Sequence, residues 1–207
     1  MGKVLWHVTM SLDGFIAGPN DSMDWVFEYV KPDTGMEELL RRGGAHTPDR
    51  PDSSAMRRIV GKLIASLGSV LSGRRSYNVG REPGQRPEAR KVLGGAWTGP
   101  TFVLTHHAPA DEEDPEYKFI SGDIRSAVAK AREAAGGKDV PVIGADVARQ
   151  CMEAGLIDDI VIYLAPVLLG DGVRFFECAG HSMPIRMEAT GVTRSGQLTI
   201  LEFRVVK

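Results

Sequence analysis

Hydrophobic and polar positions along the chain change period several times. KVLWHVTMS (3–11) carries Val, Leu, Trp and Thr over the length of a strand and stops at Asp13-Gly14. FIAG (15–18) continues that path until Pro19-Asn20-Asp21 turns it. SMDWVFEYV (22–30) predicts a short helix, with Trp25 and Tyr29 four residues apart and Ser22 or Asp24 near its start. Residues 31–53, rich in Gly, Pro, Asp and Arg, read as a long excursion with at most one short helix, GMEELLRR. The period then becomes helical: in 54–68, Met56, Ile59, Val60, Leu63, Ile64 and Leu67 share one face, with Ser53 or Ser54 as cap.

SVLSG (69–73), TFVLT (101–105) and YKFIS (117–121) have the apolar runs of buried strands. Asp123 caps a predicted helix along which Ile124, Ala127, Val128, Ala131 and Ala135 align, ended by Gly136-Gly137. The short strand PVI (141–143) turns at Gly144 into a helix with Val147, Cys151 and Met152 on one side. DIVIYLAPVLLG (159–170) reads as an apolar strand, and 185–206 as two long strands joined through Ser195-Gly196. Strands alternating with helices predict an α/β sheet, parallel at its centre and closed by an antiparallel hairpin at its edge. No internal repeat breaks the 207 residues, so one domain with an insertion at about 31–53 is expected.

Composition narrows the function classes. A formal charge of −2 supplies no field for nucleic acid or an anionic membrane, and no apolar run approaches the roughly 20 residues that span a bilayer. The N-terminal residues enter a strand pattern at once without the charged-then-apolar order of a signal peptide, so a cytoplasmic chain is expected. Cys151 and Cys178 lack metal-ligand spacing and read as inert thiols, although sequence alone leaves a disulfide between them open.

In such sheets ligands sit beyond the carboxyl ends of strands, and several of these ends carry candidate chemistry. Gly144-Ala145-Asp146-Val147 opens a helix, whose free N–H groups suit a phosphate; the alternative is a plain turn with the Asp146 carboxylate capping those same groups. Gly73-Arg74-Arg75-Ser76 follows a strand, as a guanidinium site for phosphate or as a solvated basic turn. Thr105-His106-His107 offers a hydroxyl and two imidazoles for a nucleotide, with no third ligand for a metal, or is plain surface. Asp13 ends the first strand, either to reach a ligand or to form the turn. Glycine-rich dinucleotide and P-loop signatures are absent, as is the nucleophile elbow of hydrolases.

Taken in order, HVTMSLDGFIAGP, LSGRRSYNVG, FVLT and VIGADVARQCMEAGLIDDIVIYLAPVLLGDGVRFF resemble the dihydrofolate-reductase-like superfamily. The resemblance is closest to its riboflavin-biosynthesis reductase branch and runs over nearly the whole chain outside 31–53. It implies a central mixed sheet of about eight strands, mostly parallel with an antiparallel C-terminal hairpin and flanked by helices, that binds NADPH across the strand ends. By motif, Gly73, Arg74, Arg75 and Ser76 fall where the family holds the adenosine phosphates, and Thr105 and His106 at the other adenosine-side strand end. Gly144, Ala145, Asp146 and Val147 fall at the pyrophosphate turn. There the family usually has two glycines, and Ala145 stands in place of the second.

Arg74, Arg75 and His106 would neutralise a 2′-phosphate, so NADPH is expected over NADH. The resemblance nominates Asp13 first, to hold substrate hydroxyls or an amine or to deliver a proton, and Glu28 second. The activity implied is reduction, by hydride transfer, of a small pterin- or pyrimidine-like heterocycle or a carbonyl compound. Alternatives are a ribosylamino-pyrimidine reductase of riboflavin synthesis and a non-catalytic NADP(H)-binding protein. Homodimers paired through the sheet edge, here the 185–206 strands, are also implied.

Overall fold

The computed structural model describes residues 2–29, 54–79, 81, 91–95, 97–107, 116–177 and 184–207; the 31–53 excursion and its short helix lie outside the described residues. One sheet of eight strands runs in the order β5-β4-β3-β6-β1-β7-β10-β9. Its members are β1 (Val4–Ser11), β3 (Val70–Gly73), β4 (Thr101–Leu104), β5 (Lys118–Ile120), β6 (Val140–Ile143), β7 (Asp159–Ala165), β9 (Met187–Ser195) and β10 (Leu198–Val205). β5-β4-β3-β6-β1 are parallel and β7-β10-β9 antiparallel, the mixed sheet expected from the periodicity. A separate ribbon pairs β2 (Phe15–Ala17) with β8 (Val173–Arg174), the guanidinium of Arg174 lying 4.8 Å from the centre of the Phe15 ring.

The chain's contacts divide into two compact units, Met1–Trp6 with Ser66–Asp158, and His7–Ala65 with Asp159–Lys207. In the first unit, α4 (Ile124–Ala134) packs on β3 and β4, and α5 (Ala145–Glu153) on β3 and β6. Val70, Val103, Val140, Ala131 and Ala148 fill the layer between strands and helices, each fully buried. Apolar side chains on the central strands bury both faces, so these strands read as continuous rather than alternating runs. Asp123 caps α4 as expected, accepting from the backbone N–H groups of Arg125 at 2.8 Å and Ser126 at 3.0 Å.

In the second unit, α1 (Asp24–Tyr29) and α2 (Ser54–Ser66) contribute Trp25, Val26, Met56 and Val60 to one apolar cluster. Val161, Tyr163 and Ala165 of β7 and Leu198 and Ile200 of β10 complete it. Those alternate positions are what a strand buried on that face requires. β7 ends at Ala165 rather than at 170, because Pro166 has no N–H to donate and the Val167 N–H turns back to the Ala165 carbonyl at 2.8 Å. β9 and β10 turn through Gly196 at φ 58°, the left-handed conformation that glycine adopts without strain.

Candidate functional site

In the first unit three strand ends stand side by side. The register pairs Gly73 with Leu104 and Ser72 with Ile143, so the chain leaving β3, β4 and β6 emerges along one rim of the sheet. Gly73–Ser76, Thr105–His106 and Gly144–Val147 are thereby brought together from separate parts of the sequence. A Cβ on Gly73 would lie 3.0 Å from Val147 Cγ2, tighter than an ordinary contact. Gly144 has φ 100° and ψ 142°, and a Cβ there would run into Ser76 Oγ. Both glycines thus leave room for a neighbouring side chain, Val147 at Gly73 and Ser76 at Gly144, to pack against the backbone at this rim.

Gly144 is the N-cap of α5, and among the described residues no side chain hydrogen-bonds to the first turn. The expected alternative, a cap by Asp146, is not what forms. Asp146 is the second helical residue, two places past the cap position, and its carboxylate takes hydrogen bonds from Arg149 at 2.7 Å and from Gln150 at 2.7 Å. Arg149 also binds Glu153, and these two carboxylates hold its guanidinium above the usual range. The helix end therefore keeps its N–H groups available, and its one acidic residue is paired with a cation. Ala145 lies inside the helix, so its methyl follows the ordinary helical direction.

The two arginines differ. RRSYNV, for which a solvated basic turn is one expectation, forms a six-residue helix, α3 (Arg74–Val79). Arg74 is half-buried, its guanidinium 5.2 Å from the centre of the Tyr77 ring and 5.3 Å from that of Phe119. Arg81 stacks at 3.6 Å on Tyr77 and at 4.8 Å on Tyr117. The rings meet edge to face, Tyr77 5.1 Å from Tyr117 and 5.0 Å from Phe119. Arg75 is exposed. The three- and four-residue spacings of Arg74, Tyr77 and Arg81 were the available signal for this cluster, which sequence reasoning passed over.

Thr105 is buried; its hydroxyl donates to the His107 carbonyl at 3.1 Å and receives the His107 N–H at 3.3 Å, closing a local turn. His106 is exposed. Among the described residues, no group of three His, Cys, Asp or Glu could hold a metal ion, and no helix is long and apolar enough to cross a membrane.

The nominated acids lie in the second unit. Asp13 accepts from Ser11 Oγ at 2.6 Å, from Leu169 N–H at 3.0 Å and from Gly170 N–H at 2.7 Å. These bonds, the Ser11 hydroxyl foremost, hold its carboxyl down at about 2. At neutral pH it is an anion that ties the end of β1 to the turn after β7, with no proton to deliver. Beside it Leu12 N–H donates to the Val167 carbonyl at 2.9 Å. A Cβ at Gly172 would meet the Ala17 carbonyl oxygen, so this turn is also closed by a backbone contact. Glu28 is exposed on α1 and makes no bond to Asp13, whose partners are all on β1 and the turn.

YyaP of Bacillus subtilis (strain 168), a protein described as uncharacterized, is 23% identical to this chain over 207 residues, covering 96% of this chain and 93% of YyaP. A candidate riboflavin biosynthesis protein from Shewanella sp. PV-4 has a similar structure, with a TM-score of 0.69 at 18% identity over 99% of both chains. Dihydrofolate reductase from Enterococcus faecalis, solved with NADP(H), superposes with a TM-score of 0.54 at 13% identity, covering 100% of this chain and 98% of that one. The sheet order and its antiparallel end are thus those of the dihydrofolate reductase fold. The sequence matches the RibD C-terminal domain over residues 2–201, and the chain belongs to the RibD C-terminal domain family.

Proposed function

We propose that the protein is an NADPH-dependent reductase of a small heterocyclic or carbonyl substrate, pterin- or pyrimidine-like. The observation that carries the reading is the start of α5. Gly144 occupies a conformation that side chains avoid, its Cα faces the Ser76 hydroxyl, and among the described residues the following N–H groups are uncapped. A pyrophosphate fits that combination, since both the close approach and the free donors serve an anion. Gly144, Ala145, Asp146 and Val147 would hold it with Gly73 and Ser76. Arg75 and His106, both exposed, would meet the 2′-phosphate, and Arg74, braced by Tyr77 and Phe119, would present a guanidinium of fixed plane. Thr105 would contribute the shape of its turn rather than a free hydroxyl.

When bound, NADPH supplies a hydride from its nicotinamide ring to an electrophilic carbon of the substrate. The chain's own contribution is positioning and electrostatics. Asp13 acts as a positioning residue that fixes the 169–170 backbone, and the proton that completes the reduction comes from another source. Pairing of two copies through β9 belongs to the same reading. β9 is the outer strand of the sheet and exposes Val192 at 69%, the kind of edge that a second copy covers. Sedimentation velocity of wild type and Val192→Glu tests this: a dimer that becomes monomeric in the variant is expected, and a wild-type monomer refutes it.

Titration with NADPH and NADH, followed by energy transfer from tryptophan, tests the cofactor. Saturable binding with NADPH at least about tenfold tighter, equivalent to roughly 1.4 kcal/mol, is expected. Absence of binding by either would overturn the assignment at Gly144.

A further inference from the structure

One polar pair in the second unit serves neither the cradle nor the Asp13 turn. His7 on β1 and Tyr163 on β7 are joined by a 2.9 Å hydrogen bond between Nδ1 and the phenol oxygen, the rings tilted by 46°. Tyr163 is buried among Trp25, Met56, Val161, Ala165 and Ile200, and its hydroxyl has no other partner among the described residues. His7 is only half-buried, and its Nε2 has no protein partner among the described residues.

A buried hydroxyl keeps its proton on an acceptor, and the one acceptor among the described residues is His7 Nδ1. That leaves Nδ1 as the bare nitrogen and places the ring proton on Nε2. Both groups are uncharged at neutral pH. Burial lowers His7 to about 4, against a smaller opposing pull from Asp159. Burial pushes the Tyr163 phenol well above its usual range, helped by the Glu202 carboxylate. An uncharged N–H donor of fixed direction, at the half-open edge of an apolar layer, recognises an uncharged acceptor. A protonated ring nitrogen offered to it would meet a donor.

We propose that His7 is a substrate-recognition residue whose Nε2–H, fixed by Tyr163, donates to a carbonyl oxygen or unprotonated ring nitrogen of the substrate heterocycle. Tyr163 is then a positioning residue. The proposal rests on the reductase reading and names the chemistry of the substrate: an uncharged, planar, lactam-type ring.

The test is long-range ¹H–¹⁵N spectroscopy of the labelled protein with NADPH, titrated with 5,6-diaminouracil, an uncharged pyrimidine with two carbonyl oxygens. Expected are a protonated Nε2 and a bare Nδ1 throughout pH 6–9, with His7 nitrogen signals that move as the probe saturates. Tyr163→Phe should mix the two tautomers and weaken the probe at least about fivefold. His7→Phe should weaken it similarly and His7→Gln, which keeps a donor, less. All three variants should retain NADPH affinity within about twofold, which shows them folded. A protonated Nδ1, titration of His7 near 6.5, no probe binding by wild type, or full probe affinity in His7→Phe would each overturn the proposal. Loss of NADPH binding by wild type itself would instead strike the reductase reading, while the tautomer spectra would still report on the His7–Tyr163 pair.

Discussion

Replacing Gly144 by alanine separates two costs that the structure lets one estimate. The first is conformational. At φ 100° and ψ 142° a residue with a Cβ sits in a region populated almost only by glycine, which costs about 1–3 kcal/mol. The second is steric. The new methyl would meet Ser76 Oγ, but Ser76 Cβ at 3.5 Å and Gly73 N at 4.0 Å are ordinary contacts. Rotation of one hydroxyl relieves the collision, so backbone strain dominates. Against a total stability of about 5–15 kcal/mol the loss is substantial, and for a chain of this length it corresponds to about 2–12 °C in Tm.

Denaturant melts of wild type, Gly144→Ala, Ser76→Ala and the double variant provide the assay. A coupling energy below about 0.5 kcal/mol is expected, because removing the hydroxyl leaves the φ strain untouched. Gly61→Ala is the internal contrast: Gly61 lies within α2, and a Cβ there meets nothing within 4 Å. It should stabilise by about 0.5–1 kcal/mol. A Gly144→Ala protein that melts within about 1 °C of wild type, or a Ser76→Ala change that restores most of its loss, would refute backbone strain as the dominant cost.

Arg75→Ala should remove most of the preference for NADPH over NADH with stability within about 0.5 kcal/mol of wild type, as expected for an exposed side chain. Arg74→Ala should lower both, by about 0.5–2 kcal/mol in stability, because its guanidinium packs on Tyr77 and Phe119; equal behaviour of the two variants would contradict their different settings. Acidification should reduce stability in two steps. Between pH 6.5 and about 4 the unfolded chain takes up a proton on His7 that the folded one does not, and between 3.8 and about 2 the same holds for Asp13. Urea midpoints against pH should therefore lose the upper step in His7→Phe and the lower in Asp13→Asn, and unchanged slopes would refute the assignment. Cys151 is a fully buried free thiol pushed up to about 12, so in a Cys178→Ser background it should react with a thiol reagent only after denaturant is added.

Much of the fold was legible because it is written in local periodicity, and what was missed depends on distance or on single-residue offsets. Asp123 and Asp146 look alike in sequence, each an acid at the start of an apolar helical pattern. The first precedes its helix and caps it, whereas the second falls two places inside and pairs along the helix with Arg149 and Gln150. That offset decides whether the α5 amides are free. The strand ends at 73, 105 and 144 were readable as separate punctuation, but their meeting on one rim follows from the order β4-β3-β6. β8 is two residues long and exists only through its pairing with β2, so no periodicity announces it. The His7–Tyr163 bond joins residues 156 apart, and nothing in either strand's alternation names the other. Asp13 was found as a chemical group, but its work proved to lie with Leu169 and Gly170.

The division of the chain also bears on how it emerges from a ribosome. Apart from a few N-terminal residues, the unit holding the cradle is one uninterrupted segment, 66–158, whereas the other is built from segments on both sides of it. Asp13 and His7 are translated early, yet Gly170 and Tyr163 follow more than 150 residues later. At about 5–20 residues per second this leaves an interval on the order of ten seconds in which α1 and the end of β1 have no β7 or β10 to pack against. The early segment must therefore stay soluble as an unpaired apolar strand and helix until the chain is nearly finished. This makes the N-terminal third the place where a nascent-chain chaperone would engage, and where destabilising substitutions would lower yield before they lowered the stability of the finished protein.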